Sequence, residues 1–196
     1  MKKYFVLVAF LLGFGSAAQA ASTYEVDATH SSLMFSVDYL VISKTTGKFT
    51  DFAGTLTWDE NDLSKCQIQG AIQAQSITTD NEKRDTHLKS EDFFWVEKYP
   101  EIQFATTQIA KDGDGYKATG QLTLRGVTKT VAIPFKVTGK IKDFAGNERI
   151  GLSGSFVINR KDYGINWNKA LDAGGAVVSD NVTIQLDMQV VQKAAP

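Results

Sequence analysis

The chain has 196 residues, 43% of them hydrophobic, with 21 basic against 22 acidic side chains. A charge so nearly balanced, with no basic cluster, excludes the electrostatic footprint of a nucleic-acid-binding protein. The single cysteine, Cys66, excludes an intrachain disulfide framework.

Lys2 and Lys3 precede an apolar run over residues 4–14, too short for an ordinary transmembrane helix. Ala18-Gln19-Ala20 then supplies the small-x-small pattern of a secretory cleavage site. A signal peptide over residues 1–20 is expected, cleaved after Ala20, with one domain over residues 21–196. A retained anchor would want a stop-transfer charge cluster, but the next residues read as strand. No cysteine stands at the cleavage site, which argues against a lipoprotein.

Alternation with period two dominates from there on, the pattern of strands with one buried face. Leu33, Phe35 and Val37 point one way, Met34, Ser36 and Asp38 the other. Phe52, Gly54, Leu56 and Trp58 repeat it, as do Cys66, Ile68, Gly70, Ile72 and Ala74. Cys66 on this register reads as a small buried apolar side chain; a reactive thiol or an intermolecular bridge is the alternative.

The strands then give way to a turn-rich stretch. Thr79-Asp80-Asn81-Glu82 has the form of a capping box, with the Thr79 hydroxyl accepting from the backbone near Glu82. It predicts a helix over residues 80–89. Ser90-Glu91-Asp92 can start a second turn carrying Phe93, Phe94 and Trp95, and Tyr99-Pro100 ends it. The helical insertion thus covers about residues 80–95.

Asp112-Gly113-Asp114-Gly115 is a hairpin signal rather than a calcium loop, because the downstream Glu is missing and the flanks are strands. Arg125-Gly126 and Ala145-Gly146-Asn147 separate the later strands. The clearest run holds Val127, Val131, Ile133, Phe135, Val137 and Ile141 on one face; Pro134 within it marks an edge or a bulge. Leu152, Phe156 and Ile158 follow, then Val182, Ile184, Leu186, Met188 and Val190.

About eight long alternating strands and one short helical insertion predict an all-β fold: a single antiparallel eight-stranded barrel, whose closure hides the strand edges. A β-sandwich has the same pattern. A barrel of this size is filled by side chains or holds one slender ligand. Phe35, Leu56, Ile68, Ile72, Phe104, Leu124, Ile133, Phe156 and Ile184 are expected to face inward, with Phe93 and Phe94 closing an end. Gly54, Gly70, Gly120 and Gly154 on inward registers leave volume, or else mark bulges and corners.

The chemistry-bearing residues are few. Arg84 and His87, three apart on the predicted helix, share a face, and Asp85 can orient an imidazole. Ser153 lies inside a strand pattern rather than on the sharp turn that a nucleophilic serine needs. Two histidines, His30 and His87, give no ordinary zinc spacing. No catalytic residue and no metal ligand is assigned. Leu88, Phe93, Phe94 and Trp95 read as a cap on the barrel, braced by Arg84, Asp85 and His87. Arg84, His87, Arg125 and Arg160 are the candidates for binding a polar or anionic head group at its mouth.

Several stretches in order resemble the YceI-like family: YEVDATHSSLMFSV at 24–37, GKFTDFAGTL at 47–56, RDTHLKSEDFF at 84–94, YPEIQF at 99–104, GQLTLRGVTKTV at 120–131, INRKDYGI at 158–165 and VSDNVTIQLD at 178–187. The resemblance implies an exported, lipocalin-like barrel with an apolar tunnel for an isoprenoid chain and polar groups near its mouth. Tyr39 stands where many members have His, and Thr46 where Arg is common, so two cationic contacts are missing. The expected function is a periplasmic carrier of a long isoprenoid lipid, a polyprenyl compound or a quinone, which is cargo rather than cofactor. A membrane oxidoreductase and a second copy of the chain are open as partners. An enzyme using His87 or Asp85 as acid or base on such a lipid, and an envelope-stress interaction module, are the alternatives.

Overall fold

The computed structural model describes residues 21–40, 42–169 and 177–192. The expected signal peptide lies outside them. Eleven strands form one antiparallel sheet, in the order β1-β4-β5-β7-β8-β9-β10-β11-β2-β3-β6, with a further pairing of β1 to β11. They are β1 (Ser22–Val26), β2 (Ser32–Tyr39), β3 (Ser43–Phe49), β4 (Phe52–Trp58), β5 (Gln67–Gln73), β6 (Ile77–Thr78), β7 (Glu101–Asp112), β8 (Gly115–Leu124), β9 (Val127–Lys142), β10 (Glu148–Asn159) and β11 (Val178–Gln192). One helix, α1 (Glu82–Lys89), joins β6 to the segment before β7.

The register turns eleven segments into eight walls. β1 and β2 both lie along β11, with Val26 opposite Val190 and Ser32 opposite Asp187. β4 and β3 lie along them in turn, Leu56 opposite Tyr24 and Gly47 opposite Phe35. β5 and β6 continue, Ile68 opposite Leu56 and Ile77 opposite Phe49. Each pair is one long strand broken by a corner, so with β7 to β11 the ring has eight members and is closed. This is the barrel expected from the alternation.

The breaks have local causes. Between β1 and β2 the Asp27 carboxylate accepts from the Thr29 N–H and starts a short 3-10 turn. Between β5 and β6 the Ser76 hydroxyl donates to the Gln73 carbonyl across another such turn. These polar side chains compete with ladder hydrogen bonds and bend the strand.

The hairpins follow turn chemistry. Asp112 pairs with Gly115 across Gly113-Asp114, as expected. Leu124 pairs with Val127 across Arg125 and Gly126, both left-handed (φ 52° and 73°), the geometry that matches strand twist in a two-residue loop.

The β9–β10 ladder runs from Lys142 opposite Glu148 to Phe135 opposite Gly154 and ends there. The next β9 residue is Pro134, which has no N–H to offer. Among the described residues, positions 155–159 of β10 pair only with β11. The wall beyond the split is completed by the 3-10 turn Arg160–Tyr163 and the residues after it, with Tyr163 and Ile165 buried. Pro134 thus sits at an edge inside the barrel.

The helix starts two residues later than the predicted capping box. Asn81 is the N-cap and accepts from the Arg84 N–H at 3.0 Å. Thr79 is engaged elsewhere: its hydroxyl donates to Asp85 and accepts from Arg84 Nε.

Two apolar clusters close the barrel. At one end Tyr24, Leu56, Trp58, Cys66, Ile109, Ala118, Ile133, Phe135, Ile150 and Val190 pack together, with Tyr116 stacked on Phe135. Cys66 is buried there, and burial pushes its thiol pKa up. At the other end Leu33, Phe35, Phe49, Phe93, Leu122, Leu124, Tyr163 and Ile165 pack under the helical insertion. Each buried Leu, Ile or Phe contributes about 1.5–3 kcal/mol.

Candidate ligand cavity

Between the clusters lies a cavity of about 670 Å³. β11 lines it with Val182, Ile184, Leu186, Met188 and Val190, one face of a period-two strand. Val26, Phe52, Leu152, Ile158 and Leu88 add further hydrocarbon. The residues expected to face inward, Phe35, Leu56, Ile68, Ile72, Phe104, Leu124, Ile133, Phe156 and Ile184, are on its wall, as are Phe93 and Phe94; Trp95 of the expected cap is not. Leu56, Leu124 and Ile133 also belong to the buried clusters, so part of their area packs on protein.

Among the four inward glycines, only Gly70 faces open space. Gly54 and Gly70 pair side by side and line the cavity, but a Cβ at Gly54 would stand 2.7 Å from the Gln69 carbonyl, a close approach like the two below. A methyl added at Gly70 would meet only the Ala53 carbonyl, at 3.7 Å, so space is left there. Gly120 instead accommodates the Phe104 ring, 2.8 Å from where a Cβ would stand, and Gly154 lies against the Pro134 carbonyl at 2.7 Å. Those two mark close approach, not vacancy.

The mouth is built from α1, the β2–β3 hairpin and the chain around Trp167 and Val177. Asn81, Lys83, Arg84 and His87 reach the cavity from the helix, Tyr39 and Thr45 from the hairpin. His87 Nε2 lies 2.9 Å from Asp92 Oδ2. Its ring stands edge-on to both Phe93 and Trp167, with centroids 5.0 Å away in each case. Asp85 does not orient this imidazole. It accepts from the Thr79 N–H at 2.8 Å and from the hydroxyls of Thr78 and Thr79, tying α1 to β6. Burial would raise its pKa, but these hydrogen bonds outweigh it and hold the carboxyl below the usual range. A carboxylate so held is a weak general base at neutral pH.

The arginines expected at the mouth part company. Arg84 is on the wall, its Nε donating to Thr79 Oγ1 at 2.7 Å and Nη2 to the Thr79 carbonyl at 2.9 Å. Arg160 is on the wall too, but only 4% exposed. It donates to the carbonyls of Ser179, Ile165 and Trp167 at 2.9, 3.0 and 2.7 Å, and so staples the segment that completes the split wall. Arg125 is not on the wall. It donates to the carbonyls of Gly164 and Glu91, at 2.6 and 2.8 Å, bridging that segment to the cap. Among the described residues the charged side chains lining the cavity are Lys83, Arg84 and Arg160, and no carboxylate joins them.

Lys83 is not singled out by the sequence, and Trp167, which could shape a mouth, is given no role by it. Lys83 precedes His87 by one helical turn, a spacing that puts both on one face. Trp167 lies in a stretch without periodicity, and nothing local announces that it faces inward.

A family profile described as a YceI-like domain matches residues 24–190. The chain belongs to the YceI-like family. Its relatives include UPF0312 protein ECA1782 of Pectobacterium atrosepticum, 37% identical over 158 residues, which are 81% of this chain and 82% of the relative. UPF0312 protein SAS2572 of Staphylococcus aureus is 34% identical over 84% of this chain and 94% of its own. Among solved structures, the Campylobacter jejuni YCEI protein superposes with a TM-score of 0.69 at 28% identity, over 80% of this chain and 90% of that one. Burkholderia cenocepacia BcnA gives a TM-score of 0.72 at 22% identity, over 84% and 98%. A polyisoprenoid binding domain from Saccharophagus degradans gives 0.62 at 16%, over 88% and 99%. The last two likenesses establish a shared barrel fold. The YceI-like match spans nearly all the described strands, so the cavity lies inside the family's domain.

Proposed function

We propose that this protein binds a long isoprenoid lipid in its barrel and carries it across an aqueous compartment. The observation that carries this reading is a cavity of about 670 Å³ walled by hydrocarbon side chains, with basic but no acidic side chains among its described charged residues. The volume falls within the range of about 300–1,000 Å³ of small-molecule sites. Each methylene moved from water into such a wall favours binding by about 0.8 kcal/mol before ordering costs. An isoprenoid chain therefore needs few polar contacts, and Lys83, Arg84 and His87 supply those near its head. The barrel shared with the polyisoprenoid binding domain from Saccharophagus degradans supports the same ligand class. The export signal read over residues 1–20 makes the periplasm the compartment we propose.

Catalysis is not needed for this role: His87 is held between two aromatic rings and Asp92, and Asp85 is held by two threonines. The test is native mass spectrometry of protein freshly isolated from its own compartment, with lipid extraction of the same sample. The expected result is one isoprenoid lipid per chain. Repeated isolation of lipid-free protein that also takes up no polyprenyl lipid or quinone in vitro would refute the carrier reading.

A further inference from the structure

The tip of the β2–β3 hairpin carries Tyr39, Leu40 and Ile42, three apolar residues where turn chemistry favours Gly, Asn and Asp. Leu40 lies in the left-handed region (φ 53°), a backbone state that a branched apolar residue adopts only at a cost. Ile42 is 86% exposed and Tyr39 39% exposed, among the large apolar side chains left in water. Neither local propensity nor burial accounts for this composition.

The tip stands at the cavity mouth. Tyr39 pairs with Ser43 across the hairpin and with Val178 of β11. The Leu40 N–H donates to the Val177 carbonyl at 2.8 Å. Tyr39, Thr45 and Val177 all line the cavity, so the hairpin rises from its rim. Lys83 and Arg84 reach the same rim from α1. Lys44, on the hairpin itself, is paired with Asp38.

We propose that this hairpin tip is a membrane-docking element: Ile42 and Tyr39 insert into the interfacial region of a phospholipid bilayer and present the cavity mouth to it. An exposed aliphatic side chain beside a tyrosine and rim cations is the chemistry of interfacial binding, and basic side chains near the surface favour anionic lipid. A protein partner fits less well. One hairpin tip offers a small part of the about 800 Å² per partner that a stable protein interface buries. Phe144 is more exposed still, but it lies at the plugged end, after β9 has run away from the mouth, beside Asp143 and near Glu148. It is therefore a control. The proposal rests on the carrier reading only for its purpose, since docking itself is measured without cargo.

The experiment is cosedimentation of the mature protein with vesicles of phosphatidylethanolamine and phosphatidylglycerol. Ile42→Asp should weaken partitioning by about tenfold or more, the equivalent of one buried aliphatic side chain. Ile42→Trp should retain it, with the introduced indole's emission shifting to the blue on vesicle addition. Phe144→Asp should leave it unchanged. Partitioning equal in Ile42→Asp and wild type would overturn the proposal. So would an equal loss in Phe144→Asp, or a change of oligomeric mass on Ile42→Asp without a change in vesicle binding, which would make the tip a self-contact. Uptake of a polyprenyl lipid from detergent, scored in parallel, separates the two readings. If every variant fails to take up lipid while vesicle binding still follows Ile42, docking stands and the carrier function falls.

Discussion

At the scale of single residues, Arg160 shows what a charge does when it is taken out of water. Its guanidinium is buried and faces three backbone carbonyls, from Ser179, Ile165 and Trp167, that no strand ladder satisfies. The Ile165 and Trp167 carbonyls belong to the segment that completes the split wall, and Ser179 lies where the β11–β2 register shifts, so the side chain stands in for missing strand partners. Asp180 lies 3.5 Å from Nη2 and offsets part of the charge. Arg160→Met would remove the donors and leave the carbonyls buried. We expect a loss of about 3 kcal/mol or more in urea unfolding, since each buried acceptor left unpaired costs about 1–3 kcal/mol. Arg160→Lys should recover little of it, because a single ammonium cannot reproduce the planar fork. A variant within 1 kcal/mol of wild type would show that water can take the guanidinium's place. Arg160 also illustrates why an arginine at a strand end is ambiguous in sequence: rim residue, ligand contact and backbone staple look alike until the ladder is known.

At the scale of elements, the broken strands need latches, and the one at the plugged end is ionic. Arg149 of β10 donates to Asp27 Oδ2 at 2.7 Å, Asp143 Oδ2 at 2.8 Å and Gln189 Oε1 at 2.9 Å. It thereby joins the β1–β2 corner, the β9–β10 loop and β11. The Arg149 hydrogen bond, followed by that of His30, lowers the Asp27 pKa to about 2. Asp143 is also held low, chiefly by Arg149. A carboxyl whose folded pKa is depressed stabilises the fold above its unfolded pKa of about 3.9, and that contribution is lost as pH falls through the folded value. Stability should therefore hold from neutral pH down to about pH 4 and fall between about pH 4 and pH 2. Asp27→Asn should be less stable at neutral pH and show a shallower acid fall; unfolding curves at a series of pH values would decide it, and an unchanged slope would mean that other carboxylates govern the acid limb. The same elements show where sequence is readable. Alternation of Leu33 with Phe35, or of Val182 through Val190, reports a buried face directly, and every strand so patterned is present. The corners are not readable in that way: Asp27 and Ser76 break strands through short-range hydrogen bonds, with the Thr29 N–H and the Gln73 carbonyl, that alternation does not reveal. The helix start moved from Thr79 to Asn81 because Asp85 and Arg84 engage Thr79 only once α1 lies against β6.

At the scale of the molecule, closure of the ring leaves an interior that is not filled, and a ligand taken up there would change stability. The wall residues were legible because facing inward and facing a ligand are the same position on a strand; whether the interior is vacant was not, since that depends on how side chains from opposite walls meet. Gly120 and Gly154 show the limit, as both are inward registers closed by neighbouring atoms, whereas Gly70 faces open space. An unfilled apolar cavity forgoes the dispersion contacts that a packed core makes, so the empty barrel should be the less stable state. A ligand that binds only the folded state adds RT ln(1 + [L]/Kd), about 2.7 kcal/mol at a hundredfold excess over Kd. For a domain of this size each kcal/mol raises Tm by about 2–4 °C. Delipidated protein should therefore melt about 5–10 °C below protein saturated with a polyprenyl lipid, and the gap should grow with lipid concentration. Gly70→Leu separates occupation from mere surface adsorption. A Cβ at this cavity-lining position meets nothing closer than the Ala53 carbonyl, at 3.7 Å, so the lipid-free variant should melt at or above the wild-type temperature, and added lipid should shift it little. If the lipid raises Tm equally in both proteins, the stabilising site is not the bore, and the cavity's hydrocarbon walls are core alone.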